Sequence, residues 1–213
     1  VIALLIGTVG AQGLVLLSAP IISRLYLPEE FGDYALYFST VMVLSVIVTM
    51  RLEMAIILPL TDDDALPVLR SSLLSTLLLS VIILSLLLFG SFVITGSHFL
   101  KFVSEHPFFI LAGCISVGFF QSLTYWHNRL GNFRRIAFAN ITRALLVILI
   151  CIVLKETNNN GLNGLIVADF LAQLISGVIV FSDRKLILNL LADLKWNSLV
   201  TTLTTYKQFP FYN

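Results

Sequence analysis

The sequence predicts an all-α, polytopic membrane protein built as a bundle of six transmembrane helices. Of its 213 residues, 58% are hydrophobic and 12% are charged, whereas soluble domains carry about 25% charged residues. The mean hydropathy is +0.97. Apolar runs that reach the roughly 20 residues needed to cross a bilayer recur with short connections. A net charge of +1 argues against nucleic-acid binding, which requires a basic surface.

The first run, Val1–Ser23, contains no charged residue. Its glycines Gly7, Gly10 and Gly13 recur every third residue. No strand precedes them, so the spacing does not predict a phosphate-binding loop. Small residues along one helix face instead predict close packing against another membrane helix.

The second run, Tyr34–Leu60, carries Arg51 and Glu53 near its end. Residues two apart point to different helix faces, so these two side chains are not expected to pair with each other. The apolar stretch AIILPL follows them, and we expect the helix to continue past the pair. Two interpretations stay open: both charges lie at the headgroup level, where Arg51 can snorkel, or each meets a partner within the bundle.

Beyond the second run, Thr61 and the carboxylates of Asp62, Asp63 and Asp64 predict a capped helix N-terminus, where the helix dipole favours negative charge. Four further spans are predicted: Ser71–Leu100, Pro107–Trp126, Ile136–Leu154 and Leu162–Phe181.

Basic residues predict the orientation. The first, third and fifth connections carry three, namely Arg24, Lys101 and Lys155. The alternate side carries ten, namely Arg51, Arg70, Arg129, Arg134, Arg135, Arg143, Arg184, Lys185, Lys195 and Lys207. The positive-inside rule therefore places the N-terminus in the cytoplasm.

The predicted spans form one transmembrane lobe over residues 1–182. Residues 183–213 differ, because Leu186, Leu190 and Leu194 share one helical face while Asp193 and Lys195 lie elsewhere. This pattern predicts an amphipathic linker on the cytoplasmic membrane surface; a solvated linker is the alternative. The chain stops within polar sequence, as expected if a second lobe follows.

Several polar side chains fall inside the spans. Arg143 in the fifth and Asp169 in the sixth lie at similar distances from opposite faces of the membrane, so we do not expect them to pair. Polar side chains in a bundle either line a cavity or hydrogen-bond one helix to another. Both interpretations apply to the following set: Gln12, Gln121, Tyr125, Asn140, Arg143 and Asp169.

No catalytic or metal-binding motif is present. Cys114 and Cys151 lie inside apolar runs, which is typical of buried core thiols. His98, His106 and His127 are predicted in loops without metal-ligand spacing, and neither G-x-S-x-G nor H-E-x-x-H occurs. The sequence predicts neither an enzyme nor a bound cofactor.

Three segments resemble the N-terminal half of a known family. They read P-I-I-S-R-L-Y-x-P-E-E-F-G-D-Y-A, R-L-E-M-A-I-I-L-P and Y-K-Q-F-P. In these segments the chain resembles the Wzx-type polysaccharide flippases of the multidrug/oligosaccharidyl-lipid/polysaccharide exporter superfamily. The resemblance covers nearly the whole chain.

The resemblance implies two lobes of six helices around a central cavity, of which this chain forms the first. It implies flipping of an undecaprenyl-pyrophosphate-linked oligosaccharide across the bacterial inner membrane by alternating access, for surface polysaccharides such as O-antigen. The implied partners are membrane lipid, that lipid-linked oligosaccharide and other polysaccharide assembly proteins.

The resemblance also implies site residues. Arg24, Arg51 and Glu53 match its motifs; arginines would neutralise the pyrophosphate, and Glu53 would orient an arginine or couple transport to a proton or sodium gradient. The residues themselves add Arg143, Asn140 and Gln121 as substrate contacts and Asp169 as a second candidate for ion coupling.

Alternative functions share this pattern. A drug/cation antiporter or a peptidoglycan-precursor flippase of the same superfamily would look similar. A membrane-embedded polysaccharide polymerase or ligase would need a sizeable outward loop, and the predicted outward connections are short. A purely structural membrane scaffold leaves the charged residues of the spans unexplained.

Overall fold

The computed structural model describes residues 2–93, 98–157 and 164–181, and within these ranges every regular element is a helix. The helices are α1 Ile2–Leu25, α2 Pro28–Val48, α3 Leu52–Ala55, α4 Asp62–Val93, α5 His98–Glu105, α6 Pro107–Arg129, α7 Phe133–Thr157 and α8 Gly164–Phe181. All except α3 and α5 are long and apolar enough to cross a membrane. The predicted six-span helical architecture is confirmed.

Local sequence sets where two of the long helices begin. At α2, Pro28 occupies the first turn, and the backbone N–H of Leu27 donates to Glu30 Oε2 over 2.6 Å. At α4, the backbone N–H of Asp64 donates to Thr61 Oγ1 over 3.2 Å. Each bond satisfies a backbone donor that the first helical turn leaves without a partner. The cap predicted at Thr61 is confirmed.

The long helices run alternately up and down, and two clusters mark the two ends of the bundle. At one end, here the Arg129 end, Arg129 bridges to Asp62 at the start of α4. At the other, here the Lys155 end, Lys155 Nζ lies 3.1 Å from Glu30 Oε2 and over the ring of Tyr26. These contacts join residues that the alternating arrangement brings to the same side.

The second predicted span is wrong in its far part. Helix α2 ends at Val48, and Met50 and Arg51 both adopt left-handed backbone angles, with φ of 52° and 56°. Two consecutive residues in that region break an α-helix. The apolar stretch after Arg51 therefore forms only the short α3 and an irregular segment leading to Asp62.

Two further boundaries differ from expectation. The third span begins at Asp62 rather than Ser71, because the Thr61 cap starts the helix earlier. Its described helix runs to Val93, and Leu100 belongs to α5. His127 lies in the last turn of α6 rather than in a loop; its ring is fully buried and its Nε2 is 2.9 Å from Val180 O. The buried face of α6 thus extends beyond the predicted end at Trp126.

Small residues bring α1 and α7 together at one point. A Cβ added to Gly7 would overlap Ala137 of α7, whereas Gly10 and Gly13 have no such neighbour. Of the predicted glycine stripe, only Gly7 serves the close approach. The predicted linker over 183–213 lies outside the described residues.

The cysteine prediction is confirmed. Cys114 and Cys151 are both buried free thiols, and each belongs to an apolar cluster.

Candidate functional site

A cavity of about 620 Å³ lies between α1, α2, α7 and α8. Its wall combines apolar side chains with a polar set that sits among membrane-spanning residues. The lining residues are Thr8, Ala11, Gln12, Val15, Leu16, Tyr34, Phe38, Asn140, Arg143, Ala144, Val147 and Asp169. A cavity with charged and polar side chains inside an apolar bundle is the arrangement expected of a substrate or ion pathway.

Arg143 and Asp169 form an ion pair in the wall of this cavity, which corrects the expectation that they are too far apart. Arg143 Nη2 lies 3.1 Å from Asp169 Oδ1. The Asp169 side chain is 9% exposed and that of Arg143 is 27% exposed. The carboxylate of Asp169 is thus the more buried partner, and the guanidinium of Arg143 is the partner exposed to the cavity.

The earlier expectation failed because α7 and α8 do not start and end at the same depth. The hydroxyl of Tyr26 donates to Cys151 O over 2.7 Å and also touches Gly164, so Cys151 is about level with the first residue of α8. The last turn and a half of α7 projects beyond α8. At 1.5 Å per residue, Arg143 lies ~12 Å and Asp169 ~8 Å below that level, a difference that an arginine side chain spans.

The pair leaves most of the guanidinium free to bind a ligand. An arginine has five N–H donors, and within the described part of the chain Arg143 makes a single hydrogen bond, the one to Asp169. Arg143 and Asp169 are also the charged members of the cavity lining, so their formal charges cancel. The site can therefore bind an anionic group through Arg143 while its resting charge is neutral.

Polar residues on two helices complete the wall. Asn140 precedes Arg143 by three residues on α7, while Thr8 and Gln12 lie four apart on α1. Residues at these spacings share one helix face. Amides and hydroxyls can exchange hydrogen bonds with the hydroxyls of a polar ligand.

Thr8, Tyr34 and Phe38 are cavity residues that the sequence analysis missed. The ring centroids of Tyr34 and Phe38 lie 5.9 Å apart, and the two rings pack at a tilt in the part of the wall formed by α2. Thr8 could have been found, since it and Gln12 are polar residues one turn apart in the uncharged run Val1–Ser23. For Tyr34 and Phe38 no sequence signal distinguishes a cavity lining from ordinary packing.

Arg51 and Glu53 lie apart from the cavity, at the Arg129 end. Arg51 Nη1 is 3.9 Å from Met54 Sδ. Glu53 is 5% exposed, and its Oε2 has no hydrogen-bond partner among the described residues. Burial raises the pKa of Glu53 above its usual value, and the opposing effects of a backbone N–H, Thr49 and Arg51 are smaller.

Arg129 holds the irregular segment that follows α3 and these two residues. Its Nη1 donates to Pro59 O over 2.6 Å and to Ile56 O over 3.2 Å, and its Nε donates to Asp62 Oδ1 over 2.8 Å. One guanidinium thereby links the end of α6 to the chain between α3 and α4.

The remaining predicted site residues are also outside the cavity. Arg24 is exposed at the Lys155 end, in the last turn of α1. Gln121 and Tyr125 are partly buried on α6, which does not contribute to the cavity wall. The structure therefore brings together Asn140, Arg143 and Asp169, and it separates them from Arg24, Gln121 and the Arg51–Glu53 segment. Within the described ranges, no group of His, Cys, Asp or Glu side chains could hold a metal ion.

Comparison with known proteins places the chain in a family. No match was found among curated proteins or among solved structures. Residues 1–185 match the family described as polysaccharide biosynthesis protein. This match covers 185 of the 213 residues and includes all eight helices, so the chain belongs to the polysaccharide biosynthesis protein family.

Proposed function

We propose that this protein is a flippase that moves an undecaprenyl-pyrophosphate-linked oligosaccharide across the bacterial inner membrane for surface polysaccharide assembly. The observation that carries the proposal is the polar cavity within the membrane-spanning bundle, lined by Arg143, Asn140 and Gln12. The family match supports a role in polysaccharide biosynthesis, and a lipid-linked sugar is a substrate of that process that must cross a bilayer.

The cavity offers a partner for each polar part of such a cargo. The guanidinium of Arg143 would donate to the pyrophosphate, since arginine forms charge-assisted hydrogen bonds with phosphate oxygens. Asn140, Gln12 and Thr8 would hydrogen-bond the sugar hydroxyls. The apolar part of the lining, which includes Val15, suits the start of the prenyl chain.

Transport would follow alternating access, in which this lobe rocks against a second lobe around the bound cargo. With the N-terminus in the cytoplasm, the Arg129 end faces the cytoplasm. Arg51 and Glu53 would then meet the cargo at the cytoplasmic mouth and Arg24 at the opposite end. Glu53 and Asp169 are the candidates for coupling to a proton or sodium gradient.

The polar wall favours an anionic lipid-linked sugar over a cationic drug. A cationic drug is bound most favourably by a carboxylate that is not already neutralised, whereas Asp169 is paired with Arg143. A peptidoglycan-precursor lipid shares the pyrophosphate, and the following experiment separates it from the proposed cargo.

The test uses cells that lack the full-length gene. Lipid extracts should contain an accumulated undecaprenyl-linked oligosaccharide, and surface polysaccharide should disappear while peptidoglycan synthesis continues. The intact gene should remove the accumulated lipid-linked oligosaccharide and restore surface polysaccharide. A gene with Arg143→Gln should do neither. A normal level of lipid-linked sugar together with raised drug sensitivity would instead support a drug/cation antiporter. Accumulation of peptidoglycan precursor would support a peptidoglycan-precursor flippase.

A further inference from the structure

The ion pair in the cavity is asymmetric in a way that bears on ligand release. Arg143 contacts Asp169 through one nitrogen only, Nη2, and at 27% side-chain exposure it is open to the cavity. Asp169 stays behind it at 9% exposure. An anion that enters the cavity can therefore bind the free edge of the guanidinium without first displacing the carboxylate.

An anion bound there would lie close to a second negative charge. Both carboxylate and phosphate would share one guanidinium, and the surrounding membrane helices screen their repulsion less than water does. A carrier must hold its cargo firmly enough to load it and loosely enough to release it, as conduction sites must. An arginine without a carboxylate partner in this cavity would bind the cargo firmly but would release it slowly.

We propose that Asp169 is a positioning residue that orients Arg143 towards the cavity and limits how tightly it holds an anionic cargo group, so that the cargo can leave. The inference rests on the proposed function and adds to it a role for Asp169 that is distinct from ion coupling. It assigns loading to Arg143 and release to its partner.

Neutral substitutions of nearly the same shape separate the two roles. Asp169→Asn removes the negative charge but keeps an oxygen that accepts from Arg143. It should bind a diphosphate about tenfold more tightly, because relief of about 1.4 kcal/mol of repulsion is a factor of ten in affinity. In transport it should lower KM and kcat together, whereas general damage to the fold raises KM or reduces the amount of folded protein.

The experiment measures binding of farnesyl diphosphate to the full-length protein in nanodiscs, with farnesol as the uncharged control. Relative to the wild type, Asp169→Asn should show a lower Kd and a slower dissociation rate. Arg143→Gln and the double variant Arg143→Gln/Asp169→Asn should both lose the preference for the diphosphate. The double variant leaves no charge without a partner, so it separates loss of binding from loss of folding.

Each outcome decides one of the two proposals. If the wild type binds the diphosphate and Asp169→Asn binds it no more tightly, the role assigned to Asp169 is wrong and the flippase proposal stands. Unchanged diphosphate binding by the double variant would show that the pair only stabilises the bundle. If the wild type binds farnesol and farnesyl diphosphate with equal affinity, the anionic cargo of the proposed function is itself contradicted.

Discussion

Replacing Arg129 with alanine should release the segment between α2 and α4. Arg129 donates to three backbone carbonyls, those of Pro59, Ile56 and Ile57, and pairs with Asp62. Its side chain is 10% exposed, whereas that of Asp62 is 60% exposed. The two shorter of these hydrogen bonds contribute about 1.5–3 kcal/mol each because the donor is charged, and the exposed ion pair adds about 0–1 kcal/mol. We therefore expect this segment to lose about 3–7 kcal/mol of local stability.

The assay is the labelling rate of a single cysteine at position 56, which replaces a fully buried isoleucine, with both natural cysteines changed to alanine. Since labelling requires local opening, Arg129→Ala should raise the rate at least about 100-fold. Arg129→Lys keeps the charge but loses the planar set of guanidinium donors, so its labelling rate should fall between those of the parent and Arg129→Ala. The exposed Arg134→Ala is the control and should leave the rate unchanged. A rate for Arg129→Ala within threefold of the parent would refute the role given to Arg129.

Three other predictions concern packing, charge and topology. Gly7→Leu should separate α1 from α7 and cost about 1–3 kcal/mol, seen as a lower melting temperature in detergent, whereas Gly10→Leu should change little; equal effects would contradict the contact with Ala137. Because burial raises the pKa of Glu53, the fold disfavours its ionised form, and stability should fall as the pH rises above about 4.5. Glu53→Gln should remove that dependence, and an unchanged pH profile of the melting temperature would argue against it. Single cysteines replacing Arg134 and Lys101 should react from opposite sides of the membrane, with position 134 on the cytoplasmic side; labelling from one side would overturn the six-span topology.

The spans were predictable because hydrophobic length and caps are local properties of the sequence. The Thr61–Asp64 cap and the uncharged first run are read directly from adjacent residues. The end of α2 was not predictable in this way, because nothing in the apolar stretch around Met50 marks the left-handed turn. Helix α3, which follows that turn, packs against α4 and α6, and Arg129 binds the segment after α3. These contacts come from distant parts of the chain.

The site was predictable in its residue types but not in its pairing. Asn140, Arg143 and Asp169 stand out as polar residues in apolar helices. Whether two of them meet depends on the relative depth of α7 and α8, which the sequence does not encode locally. The same limit explains why Gln121, also polar within a span, lies on a helix outside the cavity wall.

The most direct test of the central claim is translocation of an undecaprenyl-pyrophosphate-linked sugar by the purified full-length protein in proteoliposomes, with the cavity blocked by Ala11→Trp. Ala11 lines the cavity, whereas Leu17 lies on the same helix, is 78% exposed and does not line it. The account predicts sugar flipping by the wild type and by the matched control Leu17→Trp, and little flipping by Ala11→Trp. Equal flipping by Ala11→Trp and Leu17→Trp would show that the cargo takes another path.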